Sequence, residues 1–281
     1  MTRAVTVLAT GPMTTVQDGG RPGQAALGIG RSGVCDRAAY RLANRLLGND
    51  PGAAVLEVTL GGLALRAEAD LLVVTTGARC AGSPAHNAPA LVPAGRELRL
   101  GMAATGLRTY VGIRGGIAVE PVLGSRATDV LAGLGPPVVS AGDVLPVGTA
   151  GQPPPGVDVA PVADPAGGEV TVRVLPGPRQ DWFADEAWAA LAGAPWAVTE
   201  DSNRVGLRLE GSPLQRTRSG ELASEGMVRG ALQVPPSGKP VLFLADHPVT
   251  GGYPVIGYVV DDDVDRCGQL RPGQTLCFRP G

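Results

Sequence analysis

Short runs of β-branched and aliphatic residues recur along the chain, separated by glycine and proline. They cover Ala4 to Leu8, Val55 to Leu60, Leu71 to Thr75, Leu107 to Ile113, Val170 to Leu175, Val241 to Leu244, Val255 to Val260 and Gln274 to Phe278. Runs of this length and composition predict strands. From Glu169 to Leu175 polar and apolar residues alternate, the signature of a strand with one solvated face. Two stretches depart from the pattern. Between Asp36 and Leu47, Ala39, Leu42, Ala43, Leu46 and Leu47 fall at helical spacing, with Asp36 placed to cap and Gly48 just past the end. Trp182 to Leu191, closed by Gly193, predicts a second short helix. The chain therefore reads as mainly β with two helices.

Residues 151–168, GQPPPGVDVAPVADPAGG, are poor in apolar side chains and read as an extended linker. They divide the chain into 1–150 and 169–281, each holding several strands and one helix. A small-turn-then-strand ending repeats at Ala94, Ala141 and Arg271, which suggests two similar β-barrel units.

Composition narrows the function. Gly 42 and Pro 26 make up about a quarter of 281 residues without a collagen period, so the chain is rich in turns. Hydrophobic residues at 44% suffice for a buried core and exclude global disorder. A net charge of -2 and only 4% aromatic residues give no footprint for nucleic acid or for an anionic membrane surface. Of the 24 basic residues only Lys239 is lysine, and it sits in a Pro-Ser-Gly-Lys-Pro turn. Arginine keeps its proton, so lysine-dependent chemistry has a single candidate. There is no G-x-x-x-x-G-K-[ST] phosphate loop. Cys35, Cys80, Cys267 and Cys277 are isolated, His86 and His247 lie far apart, and no metal-ligand spacing occurs. No apolar run could span a bilayer and no signal-peptide stretch opens the sequence, so the expected location is cytoplasmic.

Polar residues able to do chemistry gather in the turn-rich segments. Gln17, Asp18, Arg21 and Ser32 belong to two such segments that lead into the first helix, whose N-terminus favours an anion. Arg204 in SNRVGLRLEG could hold a carboxylate with its planar fork. Asp246, Thr250 and Tyr253 surround a Gly-Gly turn in the manner of a binding loop. Asp246 and His247 are adjacent, and neighbours at a strand end point to opposite sides, which argues against a dyad.

These segments, in this order, carry a family resemblance: TTVQDGGRPG (Thr14 to Gly23), SGVCDRAAYRLANRLLGN (Ser32 to Asn49), IRGGIAVEPVLGSRATD (Ile113 to Asp129), SNRVGLRLEG (Ser202 to Gly211) and SEGMVRGALQVPPSGKPVLFLADHPVTGGYPVIG (Ser224 to Gly257). The sequence resembles the family of 5-oxoprolinase C subunits, also called the biotin-dependent carboxyltransferase or allophanate hydrolase subunit 2 family. Two departures are Cys35 where a methionine is usual and Arg31 where a small residue or proline is usual. The resemblance implies cyclophilin-like β-barrels as two packed units. It also implies a cytoplasmic hydrolase component that acts with a homologue of the oxoprolinase B subunit and with a third oxoprolinase subunit. Such a complex opens 5-oxoproline, a small-molecule substrate, to glutamate at the expense of ATP, whose site could lie on another subunit. On this reading Asp18 and Asp246 are catalytic, assisting proton transfer, while Gln17, Arg21, Ser32, Arg204, Gln233, Thr250 and Tyr253 bind substrate. Alternatives within the resemblance are a urea-type carboxyltransferase component, which needs biotin on another chain, and a non-catalytic regulator of a kinase inhibitor.

Overall fold

A computed structural model describes residues 3–84, 86–220 and 222–281. Its contacts divide it into two compact units. The first comprises Met1–Arg21, Ser32–Asp129 and Gly133–Pro165; the second comprises Pro22–Arg31, Val130–Ala132 and Ala166–Gly281. The Pro/Gly-rich segment after residue 151 is tied to the first unit as far as Pro165. Ala160 N donates to Asn87 O at 2.8 Å, and the Arg79 guanidinium meets Asp164 at 2.9 Å.

The first unit contains strands β1 (Ala4–Thr10), β2 (Met13–Gln17), β3 (Val55–Thr59), β4 (Leu63–Ala67), β5 (Leu71–Gly77), β6 (Ala90–Val92), β7 (Glu97–Arg99), β8 (Arg108–Ile113) and β9 (Val144–Pro146), with helix α1 (Arg37–Leu47). They form two antiparallel sheets, ordered β7-β4-β1-β9 and β2-β3-β8-β5-β6. One apolar cluster draws on both: Val5, Val7 and Leu65 from the first sheet, Val16, Leu56, Val58, Val111 and Ile113 from the second. Helix α1 forms as its pattern predicts. Asp36 Oδ1 accepts from Ala39 N at 2.9 Å and Gly48 closes the last turn at φ 61. Its apolar stripe, Leu42, Ala43, Leu46 and Leu47, packs with Val74 of β5.

The second unit contains β10 (Val170–Pro176), β11 (Trp196–Val198), β12 (Gly206–Glu210), β13 (Glu225–Gly226), β14 (Ala231–Gln233), β15 (Val241–Phe243), β16 (Thr250–Gly251), β17 (Val255–Val259) and β18 (Thr275–Pro280). Seven of these close a barrel in the order β10-β17-β14-β15-β12-β11-β18, sealed by the parallel pair β10 and β18. Closure removes the unpaired edges that an open sheet would expose. The interior holds Val172, Trp196, Leu207, Leu209, Leu232, Leu242, Ile256 and Phe278.

The mainly β architecture stands, with two differences in the helices. The expected helix from Trp182 to Leu191 is instead a 3-10 turn at Gln180–Trp182 followed by α2 (Ala187–Gly193). The chain runs extended at Phe183, which bridges to Arg216. A further helix, α3 (Asp261–Cys267), lies outside the expected pair, so the second unit carries two helices and not one. Its sequence DDDVDRC offers just Val264 and Cys267 as an apolar stripe, too short to register as periodicity. What favours it is charge: Asp261, Asp262 and Asp263 in the first turn and Arg266 in the last complement the helix dipole. Asp263 is further fixed by the Arg173 guanidinium at 2.9 Å, which holds its carboxyl below the usual range.

Trp196 is wholly buried, its Nε1 donating to Leu191 O at 3.1 Å. Gly211 lies flat against it: a Cβ there would come within 2.7 Å of the indole. Trp196→Ala is expected to destabilise the protein by about 3–5 kcal/mol, and Gly211→Ala to destabilise it as well, because the indole has no room to retreat. Chemical denaturation of the two variants beside the unsubstituted protein checks both; an unchanged midpoint for Gly211→Ala would contradict this packing.

Candidate functional site

The structure gathers the sequence candidates of the first unit around a single strap, residues 125–129. Gln17 ends β2, and its Nε2 donates to Thr128 O at 2.8 Å. Asp18 follows in the turn: Oδ1 accepts from Ser125 Oγ at 2.6 Å and from Gly20 N at 2.8 Å, while Oδ2 accepts from Arg126 N at 2.6 Å. Arg21 Nη2 donates to Ala127 O at 2.5 Å, and its Nη1 lies 3.8 Å from Asp129 Oδ2. Ser32 Oγ reaches Thr128 O at 3.4 Å. All four are buried, Arg21 at 1% exposure and Asp18 at 6%.

This convergence depends on a sharp return of the chain. Val34 N donates to Asp18 O at 3.1 Å, which brings the 33–34 backbone onto the Asp18 turn. Gly33 sits there at φ 95, and a Cβ would meet Gly20 N at 2.8 Å and Asp18 O at 2.9 Å. Only glycine meets both demands.

A second buried network lies under α1. Glu57 faces Arg108 Nε at 3.4 Å and accepts from Cys35 N at 3.0 Å and from Tyr110 OH at 2.8 Å. Tyr110 OH in turn accepts from Asp36 N at 2.8 Å. Burial, and then the charges of Glu57 and Asp36, push the Tyr110 phenol well above its ordinary value, so it remains a donor. Cys35 is wholly buried beside this network.

In the second unit the candidates meet on the barrel. Arg204 and Asp246 are both buried, at 0% and 1% exposure, and form a two-pronged pair: Nε to Oδ2 at 3.1 Å and Nη2 to Oδ1 at 3.2 Å. Asp246 Oδ2 also accepts from Val130 N at 3.1 Å, holding the Val130–Ala132 tongue that belongs to this unit. His247 does not join this arrangement through its Nδ1, which meets the Pro248 carbonyl at 2.8 Å.

Above this pair lies a groove of about 450 Å³ on the outer face of β12, β15 and β14. Strand alternation builds it. Leu207, Leu209, Leu232 and Leu242 turn into the barrel, so Gly206, Arg208, Gln233, Val241 and Phe243 line the outside. Register brings these together: Gly206 pairs with Phe243, Arg208 with Val241, and Gln233 with Val241. Tyr253, Leu131 and Asn203 complete the walls. Gln233 Nε2 is tied to Tyr253 O at 3.2 Å, and Gly251 makes room for it, since a Cβ there would lie 2.5 Å from that nitrogen. Thr250 is exposed on β16, paired with Gly226, and does not line the groove.

The charged group of the groove is Arg208, four residues after Arg204 on the same stretch, and the sequence reading did not single it out. Within GLRLE a lone arginine between leucines looks like the wet face of an ordinary strand. Its partners Val241, Phe243 and Gln233 are supplied by neighbouring strands, and pairing is not visible in one sequence.

These features define a class: a mainly β protein of two units, one a closed seven-stranded barrel bearing a small apolar groove with one arginine. The sequence pattern of the carboxyltransferase domain, subdomain A and B, matches residues 27–280, and the chain belongs to that family. It is 37% identical to the C subunit of 5-oxoprolinase from Escherichia coli strain K12 over 97% of this chain and 89% of that protein. Among solved structures it resembles TTHA0988 (TM-score 0.88, 37% identity, 99% of this chain) and the urea amidolyase of K. lactis (TM-score 0.91, 30% identity, 100% of this chain). It spans 56% of the TTHA0988 chain and 19% of the urea amidolyase chain.

Removing Asp246 alone would strand a buried guanidinium, so Asp246→Ala is expected to cost about 3–5 kcal/mol. Replacing both partners with apolar residues, Arg204→Met with Asp246→Leu, should recover most of that loss. Denaturant titration of the single and double variants measures it; a double variant no more stable than the single one would refute the pairing.

Proposed function

We propose that this chain is the C subunit of an ATP-dependent 5-oxoprolinase, a hydrolase of a cyclic amide C–N bond that opens 5-oxoproline to glutamate and is inactive alone. It acts with a homologue of the B subunit and with a third oxoprolinase subunit. The observation that carries the reading is the similarity to the C subunit of the E. coli 5-oxoprolinase along nearly the full length of both chains. The groove supplies compatible chemistry. 5-Oxoproline is a small lactam ring bearing one carboxylate, and Arg208 offers a planar fork for that carboxylate. Gln233, whose Nε2 is engaged by Tyr253 O, has its Oε1 to accept from the lactam N–H, and Asn203 can donate to the lactam carbonyl. Val241, Phe243 and Tyr253 cover the methylene edge.

In this reading the roles of the sequence candidates divide. Gln233 and Tyr253 stay as binding residues. Gln17, Asp18, Arg21 and Ser32 hold the 125–129 strap, and Arg204 with Asp246 holds the tongue that bears Leu131. In this reading they act as positioning residues, Asp18, Ser32, Arg204 and Asp246 holding backbone and side-chain partners within the fold, while Gln17 Oε1 and Arg21 Nε stay buried without a hydrogen-bond partner. Lys239 Nζ is held by Glu210 at 2.7 Å in a surface turn. In this reading ATP is used by the complex, with its site on another subunit.

A second reading, carboxyl transfer from a biotin carrier on another chain, is favoured by the family's own description and by the likeness to the K. lactis urea amidolyase. The two readings separate on one assay. Glutamate release from 5-oxoproline is expected only when this chain, its partners and ATP are combined, and avidin should not inhibit it. Arg208→Ala should raise KM at least tenfold, the usual consequence of losing a charged carboxylate contact (about 1.5–3 kcal/mol), with folding intact because its side chain is exposed. Unchanged KM would remove Arg208 from the site. No turnover in the full mixture, with avidin-sensitive carboxyl transfer instead, would replace the first reading by the second.

A further inference from the structure

A second cavity, of about 260 Å³, lies in the first unit, and none of the sequence candidates lines it. Glycine and alanine supply most of its walls, Gly52, Gly115, Gly116 and Gly148 among them, with the larger side chains of Ile117 and Thr149. Their backbone amides are already engaged: Gly115 N donates to Asn49 Oδ1 at 2.8 Å, Gly116 N to Ile113 O at 2.8 Å, and Gly148 N to Gly116 O at 3.0 Å. What remains for recognition is two opposite charges, Asp50 and Arg126, beside the hydroxyl of Thr149. Among the described residues no ion pair joins them to each other or to any third group. Each is nonetheless fixed. Arg126 Nε donates to Val119 O at 2.6 Å, which orients the guanidinium and leaves both Nη groups. Asp50 Oδ1 accepts from Gly52 N at 2.7 Å, which orients the carboxylate and leaves Oδ2.

A preset cation and a preset anion that share one small cavity without neutralising each other match a small molecule carrying both complementary charges. We propose that this cavity binds an α-amino-acid zwitterion, its carboxylate on Arg126 and its ammonium on Asp50. Where the chain is part of an oxoprolinase, a premise taken from the reading above, the ligand is the product. Opening the lactam turns a neutral ring nitrogen into an ammonium, so this site distinguishes glutamate from 5-oxoproline by a charge that exists only after reaction.

Isothermal titration of the full chain alone tests this, with L-glutamate, 5-oxoproline and glutarate, which keeps both carboxylates and lacks the ammonium. Glutamate is expected to bind at least tenfold more tightly than the other two. Asp50→Asn, which preserves the acceptor for Gly52 N and removes the charge, should abolish that preference while leaving glutarate binding unchanged. Arg126→Met should weaken all three. Glutarate or 5-oxoproline binding as well as glutamate would overturn the proposal. So would a preference surviving in Asp50→Asn, or no glutamate binding up to about 10 mM, a Kd beyond the weak millimolar range. The titration requires neither partner nor turnover, so it succeeds or fails apart from the oxoprolinase reading.

Discussion

A guanidinium cannot shed its proton inside a protein, so each arginine the fold buries must bring a carboxylate or carbonyl partner in with it. This chain buries three with 2% exposure or less: Arg21, Arg108 and Arg204. Each faces a buried acid, Asp129, Glu57 and Asp246 respectively. Glu57 and Arg108 sit on the paired strands β3 and β8, whereas the other two pairs lie where irregular segments close and no ladder of strand hydrogen bonds fixes the path. The buried charges thus do for the loops what β-pairing does for the sheets. In the first unit they set the strap at residues 125–129; in the second they set the tongue at Val130–Ala132.

In the proposed reading, this constraint separates residues that build from residues that act. Asp18 and Asp246 are the carboxylates that sequence order brings to notice, and each spends its oxygens on internal donors. Such groups gain specificity of loop path at a desolvation cost, and they are poorly placed to exchange protons with a ligand. Recognition in that proposed reading falls instead to charges that line a groove or cavity and are tied to no ion-pair partner within it. Arg208 lies above the barrel among Val241, Phe243 and Tyr253, and Arg126 and Asp50 share a glycine-walled cavity in the other unit.

Much of the fold was legible in the sequence because its strands are aliphatic runs punctuated by glycine and proline, and because α1 carries its own cap and stop. Strands of two or three residues, such as β6, β9 and β11, are too short for any period to show. Helix α3 escaped notice because its stability comes from charge at its ends and two buried apolar side chains, Val264 and Cys267, not from a long stripe. The candidate residues were legible as a set, since polar groups crowded into glycine-rich turns stand out. Their contacts were not: a sequence shows that Asp18 can accept hydrogen bonds, but not that Ser125, more than a hundred residues away, will supply one. Arg208 was hidden for the same reason, its groove being assembled from three strands distant in sequence.

The buried ion pairs, on this account, position loops and take no part in the chemistry. The most direct measurement is turnover by the complex reconstituted with the chain carrying Arg204→Met and Asp246→Leu together, its fold verified by circular dichroism. A kcat close to that of the unsubstituted chain is the predicted result. A folded, partner-bound chain with turnover lost by orders of magnitude would contradict it and return Asp246 to the reacting centre.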